Sequence, residues 1–250
     1  MTERILDFSE DSAELSVSLQ RLLVKRGEEE LTIPLEEIGV LIAAHPRLHF
    51  SLSALTGICA HGGILVLCNE KRMPVGMVLP LDTHYLQTER LAAQVNASVP
   101  CKKQLWKQVI RAKVTGQGST LHSLKGDDAG LVSLAKAVRS GDPANVEGQA
   151  SRRYWTALFG EDFLRDPEEA GVNSMLNYGY AVLRAIVARA ICAAGLHPSM
   201  GLHHHNRYNP FCLADDLMEP YRPVVDRIVF KASGGSSAGL LLSKDEQRKL

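Results

Sequence analysis

The spacing of apolar residues changes character about a third of the way along the chain. Up to residue 80 the apolar positions alternate or form short runs. Leu15-Ser-Val-Ser-Leu alternates with period two, the signature of a strand with one buried face. Leu22-Leu-Val-Lys-Arg, then Gly27-Glu-Glu-Glu, then Leu31-Thr-Ile-Pro predicts a hairpin. Ile38-Gly-Val-Leu-Ile, Ile64-Leu-Val-Leu-Cys and Val75-Gly-Met-Val-Leu predict three more strands, and Ser53 to His61 a short helix ended by Gly62-Gly63. Many short strands with one small helix predict a β-sandwich-like module. From about His84 the period becomes helical. Leu86–Val95, Lys102–Val114, Gly130–Ser140, Pro143–Phe159 and Asn173–Ala194 carry helical spacing, with Gly160 and Gly195 at C-cap positions. Residues 115–127 and 161–172 read as loops. The expected fold is therefore α+β: an N-terminal β-sandwich-like domain over residues 1–82, then a larger all-α domain over 83–250. Residues 81–85 form the expected hinge. After a Gly/Ser-rich loop, Leu240 to Leu250 reads as a helix with Ser243 as cap, cut off near its start, so a longer natural chain is expected.

A hydrophobic content of 45% and a charged content of 22% suit a soluble globular protein of one large domain or two small ones. The longest apolar run, Gly63 to Cys68, is strand-sized, so no membrane association is expected. The N-terminus lacks a basic-then-apolar leader, making the cytoplasm the expected location. Five scattered cysteines without a CxxC pair argue against a zinc finger or a disulfide framework and read mostly as buried thiols. Basic and acidic residues balance at 28 each. This weighs against a strongly basic nucleic-acid clamp but leaves room for local patches. Lys102, Lys103, Lys107, Arg111 and Lys113, with Trp106, form one such patch, and Arg152 with Arg153 another; either also reads as a solvated helix face.

The densest chemistry lies in residues 201–222. Three histidines, His203 to His205, precede three carboxylates, Asp215, Asp216 and Glu219. Asn209-Pro210 reads as a helix start between them. A helix begun there places Asp216 and Glu219 on one face, since residues three apart are surface neighbours. The preceding loop can fold imidazoles over those carboxylates, giving oxygen and nitrogen donors suited to a divalent ion. A solvated histidine cluster beside an ordinary charged face is the competing reading. Upstream, Asp142-Pro143 reads as another helix start, and Glu147 then shares a face with Ala150 and Tyr154. A carboxylate on such a face needs a cation or a donor. Arg152 or Arg153 would serve structurally, and a metal shared with the histidine loop would serve functionally.

Taken together, these stretches resemble the CRISPR-associated integrase family, the universal spacer-acquisition proteins. Glu147-Gly-Gln-Ala-Ser-Arg-Arg-Tyr154 resembles the family's E-G-x-A-x-x-x-Y motif, and Gly201-Leu-His-His204 its G-x-x-H motif. Leu213-Ala-Asp-Asp-Leu-Met-Glu219-Pro-Tyr-Arg-Pro223 resembles L-A-x-D-L-M-E-x-F-R-P, with Tyr221 where the family often has Phe. Leu176-Asn-Tyr-Gly-Tyr180 is similar to the family's helix before the histidine loop. The details around Asn209-Pro210 look most like members that accompany single-protein (type II) effectors. The resemblance covers essentially the whole chain.

It implies that Glu147, His204 and Glu219 are catalytic metal ligands for Mg²⁺ or Mn²⁺, with Asp216 behind them supporting a ligand or replacing one. Arg152, Arg153, His205 and Arg222 become candidates for contact with nucleic acid. The implied reaction is attack by the 3′-hydroxyl of a short DNA fragment on a repeat-border phosphodiester, without a covalent protein intermediate. The implied partners are double-stranded DNA, a second copy of the chain through the β-rich domain, a small dimeric adaptation protein and the effector nuclease. Two rivals use the same residues: a metal-dependent nuclease cutting branched DNA, and a catalytically silent DNA-binding scaffold. A zinc hydrolase built on His203, His204 and His205 is disfavoured, because adjacent side chains diverge.

Overall fold

The computed structural model describes residues 4–70, 74–81, 87–194 and 196–235. The chain divides into two compact units, Met1–Gln94 with Arg184–His197, and Val95–Leu183 with Pro198–Leu250.

The first unit holds eight strands among its described residues: β1 (Arg4–Phe8), β2 (Ala13–Ser18), β3 (Arg21–Arg26), β4 (Glu29–Pro34), β5 (Ile38–Ala43), β6 (Leu48–Phe50), β7 (Ile64–Cys68) and β8 (Pro74–Val78). They form two four-stranded sheets, ordered β1-β5-β7-β8 and β4-β3-β2-β6. β2, β3 and β4 are the expected antiparallel meander, with Leu15 opposite Val24 and Leu22 opposite Ile33. β5 lies parallel to both β1 and β7 and is buried almost throughout, as an unbroken apolar run requires. Phe8, Leu15, Leu22, Leu41 and Leu65 from the two sheets share one core with Ala54 and Ile58 of helix α1 (Leu52–Ala60). Ser51 caps α1 by accepting from the Ala54 amide.

Two short strands, β1 and β6, were not expected from the pattern. Leu19, read as the last apolar position of an alternating strand, is instead 91% exposed at positive φ. It and Gln20, also at positive φ, form the tight turn between β2 and β3. The unit also takes in helix α2 (Gln87–Val95) up to Gln94 and the end of α6 (Val172–Ala193). There the Arg189 guanidinium donates to the Gly62 carbonyl (2.6 Å) and the Gln94 amide to the His197 carbonyl (2.8 Å).

The second unit contains α3 (Val99–Lys125), α4 (Leu131–Ala135), α5 (Val146–Phe159), the first part of α6, α7 (Cys212–Met218) and α8 (Arg222–Ala232). Three expectations change here. The stretch 115–127, read as a loop because of its glycines, is helical to Lys125. A Cβ on Gly118 would stand 2.9 Å from a Val132 methyl, so glycine lets α4 approach α3, and packing overrides helix propensity. The helix read over Gly130–Ser140 shortens to one turn and a half, followed by turns. In α5 the cap is Asn145, not Asp142-Pro143; its side chain accepts from the Gly148 amide. Asp142 still assists by accepting from the Val146 and Glu147 amides (2.9 and 3.0 Å).

The α+β class with a β-sandwich-like N-terminal part and a helical remainder is as expected. Residues 82–85 of the expected hinge, Gly195 and Leu240–Leu250 lie outside the described residues. Among the described residues no helix is long and apolar enough to cross a membrane.

Candidate catalytic site

Helix α3 begins with Ser98 accepting from the Cys101 amide and with Pro100 in its first turn. Its buried stripe runs Trp106, Ile110, Lys113, Gln117, Leu121, at helical spacing. Lys113 therefore belongs to an apolar stripe, unlike its neighbours Lys102 and Lys107, which are half-buried, and Arg111, which is exposed. Its side chain is 10% exposed, and its ammonium nitrogen lies 2.6 Å from Glu147 Oε1 and 2.6 Å from Glu219 Oε2. Burial by itself would lower the Lys113 pKa. The charges of Glu219 and Glu147 and their hydrogen bonds outweigh it, so the amine titrates above its ordinary range.

Glu147 reaches this position from the first turn of α5, and Ala150 and Tyr154 on the same face are fully buried. Glu219 comes from the other side. Asp216 and Glu219 do not share one regular helix: α7 ends at Met218, Glu219 opens a 3-10 turn through Tyr221, and α8 follows. The expected start at Asn209-Pro210 is also displaced to Cys212. Asn209 accepts from the Phe211 amide (3.0 Å) and donates to Asp215 (2.7 Å), so it forms an Asx turn ahead of the helix. Glu219 is buried and pairs through Oε1 with Arg222 Nε at 2.9 Å. Its Oε2 makes no hydrogen bond of good geometry and depends on the Lys113 charge.

Asp216 has a different task. Fully buried, it accepts from the backbone amides of Leu202 (2.5 Å), His203 (2.9 Å) and His204 (3.2 Å), and pairs with His204 Nδ1 at 2.5 Å. The carboxylate thus folds the histidine loop around itself. Gly201 is part of this fold, because a Cβ there would overlap the His204 carbonyl and lie 3.0 Å from Asp216 Oδ2. The bond to Asp216 raises the His204 pKa and partial burial offsets some of the rise. Nδ1 is engaged, leaving Nε2 as the donor a metal would use. His203 stacks flat on Trp106 (4.3 Å between ring centres), and His204 meets Trp106 edge-on at 5.8 Å.

Behind the carboxylate pair lies a buried polar group. Tyr180 donates to Asp226, while the Tyr154 hydroxyl, close to the same carboxylate, lacks a partner of good geometry. Burial raises the Asp226 pKa to about 7, against the bond from Tyr180, the nearby Tyr154 hydroxyl and the Arg222 charge. Arg222 stacks on Tyr180 (4.5 Å) while pairing with Glu219, so this candidate for nucleic-acid contact is turned inward. Arg152 and Arg153 are exposed beside Ala129 and Thr156, and His205 is exposed at the loop tip.

The fold brings Glu147 to Glu219, and His204 to Asp216. It does not gather three such side chains tightly enough to share one ion, among the described residues. The donor set nevertheless fits a hard divalent cation. Two carboxylates converge on a position now filled by an ammonium, one of their oxygens has no other good partner, and an imidazole with a free nitrogen lies near enough for Glu219 to raise its pKa. Lys113 and Trp106 are site residues that the motif reading missed. The signal was available: both sit on the apolar stripe of α3, where a lysine is out of place unless paired.

Comparison with known proteins bears on this geometry. The model of the family described as CRISPR associated protein Cas1 matches residues 8–236. A CRISPR-associated endonuclease Cas1 of Neisseria meningitidis is 41% identical over 222 residues, 88% of this chain and 73% of that protein. One from Francisella tularensis subsp. novicida is 28% identical over 90% of this chain and 78% of its own length. Among solved structures, a casposase bound to integration product superposes with a TM-score of 0.78 at 24% identity, covering 100% of this chain and 80% of that one. A CAS1 protein from Thermotoga maritima gives 0.76 at 17% identity, over 98% and 86% of the two chains. Motifs, architecture and relatives agree, and the chain belongs to the Cas1 family of CRISPR-associated endonucleases and integrases.

Proposed function

We propose that this Cas1 protein joins the 3′-hydroxyl ends of short DNA to a repeat by metal-dependent transesterification, with Glu147, His204 and Glu219 as the ligands. The observation that carries the reading is the convergence of Glu147 and Glu219, from separate helices, on one cation position. A Mg²⁺ or Mn²⁺ ion bound there supplies Lewis acidity to the phosphodiester. Glu147 and Glu219 fix the position of positive charge. Asp216 holds His204 in one tautomer with Nε2 outward. Arg222 keeps the Glu219 carboxylate oriented. Trp106, stacked flat on His203 and edge-on to His204, supports both rings from the buried side. No side chain of the set is placed as a nucleophile, which suits attack by a DNA hydroxyl.

Double-stranded DNA and a small Cas2-type protein are the proposed partners. The same fold occurs in a casposase bound to integration product and in a Cas6-RT-Cas1–Cas2 complex (TM-score 0.75, 20% identity). Self-association through the strand-rich unit would supply the two sites that two fragment ends require. Arg152, Arg153 and His205, being exposed, are proposed DNA contacts.

The test is strand joining of a short duplex with free 3′ ends to a plasmid carrying a repeat array, with the small partner present, in Mn²⁺ or EDTA. Joining in Mn²⁺ that disappears in EDTA and in His204→Ala is expected. Cutting without joining would favour the branched-DNA nuclease, and DNA binding with neither would leave a scaffold.

A further inference from the structure

We infer that Lys113 is a built-in occupant of the metal position, a positioning residue whose ammonium bridges Glu147 and Glu219 and must be displaced when the ion enters. This rests on the metal reading above and adds a regulated step to it.

The geometry is specific. One nitrogen lies 2.6 Å from an oxygen of each carboxylate, closer than general electrostatic attraction needs and equal on both sides. The lysine is anchored by its stem in the buried stripe of α3 between Ile110 and Gln117, so its reach is set by the helix. That helix is locked against the Glu219 segment: Thr120 donates to the Pro223 carbonyl, and a Cβ on Gly116 would touch Pro223 and the Pro220 carbonyl.

Charge makes the bridge an occupant and not a helper of the ion. Glu147 and Glu219 face Lys113 and Arg222, so the pair is neutralised without any metal. Adding a divalent ion to that set would leave two surplus positive charges in a partly buried place, with an ammonium at ligand distance from both metal-binding oxygens. The ion and the Lys113 ammonium are therefore alternatives at one position. The benefit is on the empty side: without Lys113, the buried Glu219 carboxylate would face the half-buried Glu147 carboxylate with no ammonium between them. The resting site is thereby kept assembled and its two ligands stay aimed at one point.

The probe is Mn²⁺ alone, titrated into the full chain by calorimetry, with thermal unfolding of metal-free and Mn²⁺-saturated protein alongside. Lys113→Met keeps the stem and removes the charge. It should bind Mn²⁺ about ten-fold more tightly or better, melt lower without metal, and gain more on Mn²⁺ addition than the parent. Lys113→Arg keeps a competing cation and should not tighten binding. Equal or weaker Mn²⁺ binding by a folded Lys113→Met would overturn the inference while leaving the metal reading intact. Absence of Mn²⁺ binding by the parent protein would remove both. A measurement on the parent alone guards against a misfolded variant: amine labelling read by mass spectrometry. Mn²⁺ should raise modification of Lys113 several-fold and leave exposed Lys136 unchanged. Labelling of Lys113 that ignores Mn²⁺ would overturn the inference.

Discussion

The two halves of the proposed site are built by opposite means. The histidine loop is shaped by backbone: three consecutive amides and an imidazole converge on a fully buried Asp216. The carboxylate pair is shaped by side chains alone, with Glu147 and Glu219 brought together by the Lys113 ammonium. The first arrangement cannot be undone without refolding the loop. The second exchanges one cation for another with only side-chain motion. A site that must accept an ion needs both: a rigid half that presents His204 in one orientation, and an exchangeable half that opens for the charge.

The contrast is broken most severely at its rigid end. Asp216→Ala removes the acceptor of three part-buried amides and one imidazole, bonds to a charged group worth about 1.5–3 kcal/mol each before water replaces some of them. It should lower stability by several kcal/mol in urea unfolding and abolish strand joining. Glu147→Gln, at the exchangeable end, should leave the unfolding free energy within about 1 kcal/mol of the parent while joining falls by about 100-fold or more. Equal destabilisation by both substitutions would erase the distinction.

A smaller effect comes from the polar group beneath. Asp226 is fully buried with its pKa raised to about 7. The folded state then holds a proton that the unfolded state, with an ordinary carboxylate, has released. Stability attributable to this group is complete below the unfolded pKa, about 4, and declines as pH rises through about 7. Asp226→Asn should remove that decline, matching the parent at or below about pH 4 and exceeding it near pH 8 by up to a few kcal/mol. Urea unfolding at the two pH values decides it, and a variant less stable than the parent at pH 8 would contradict the assignment. The mildest case is Gly201→Ala. The added methyl crowds the His204 carbonyl and Asp216, and should cost about 1–3 kcal/mol. Joining should weaken more than global stability does, because the displaced part is the loop. Joining at parental rate would show that the loop tolerates the shift.

These same contrasts explain what could be read in the sequence. The strands from Leu22 to Ile42 were legible because hairpin turns and apolar runs are local signals. Glu147, His204 and Glu219 stood out through motif spacing, and the burial of Ala150 and Tyr154 follows from helical period. The continuation of α3 past Val114 was not legible, because Gly116 and Gly118 argue locally against a helix and are there for Pro223 and Val132. The same holds for Asp216, whose service to the loop backbone requires knowing how the loop returns. Lys113 is a different case: its charge groups it with nearby lysines, while its place on the stripe with Trp106 and Ile110 carries the information.

The most direct measurement is the anomalous scattering of a crystal soaked with Mn²⁺, recorded at the manganese edge. One peak within coordination distance of Glu147, Glu219 and His204 Nε2, with the Lys113 ammonium moved off both carboxylates, is the expected result. Lys113 still bridging Glu147 and Glu219 with manganese bound elsewhere, or nowhere, would contradict it.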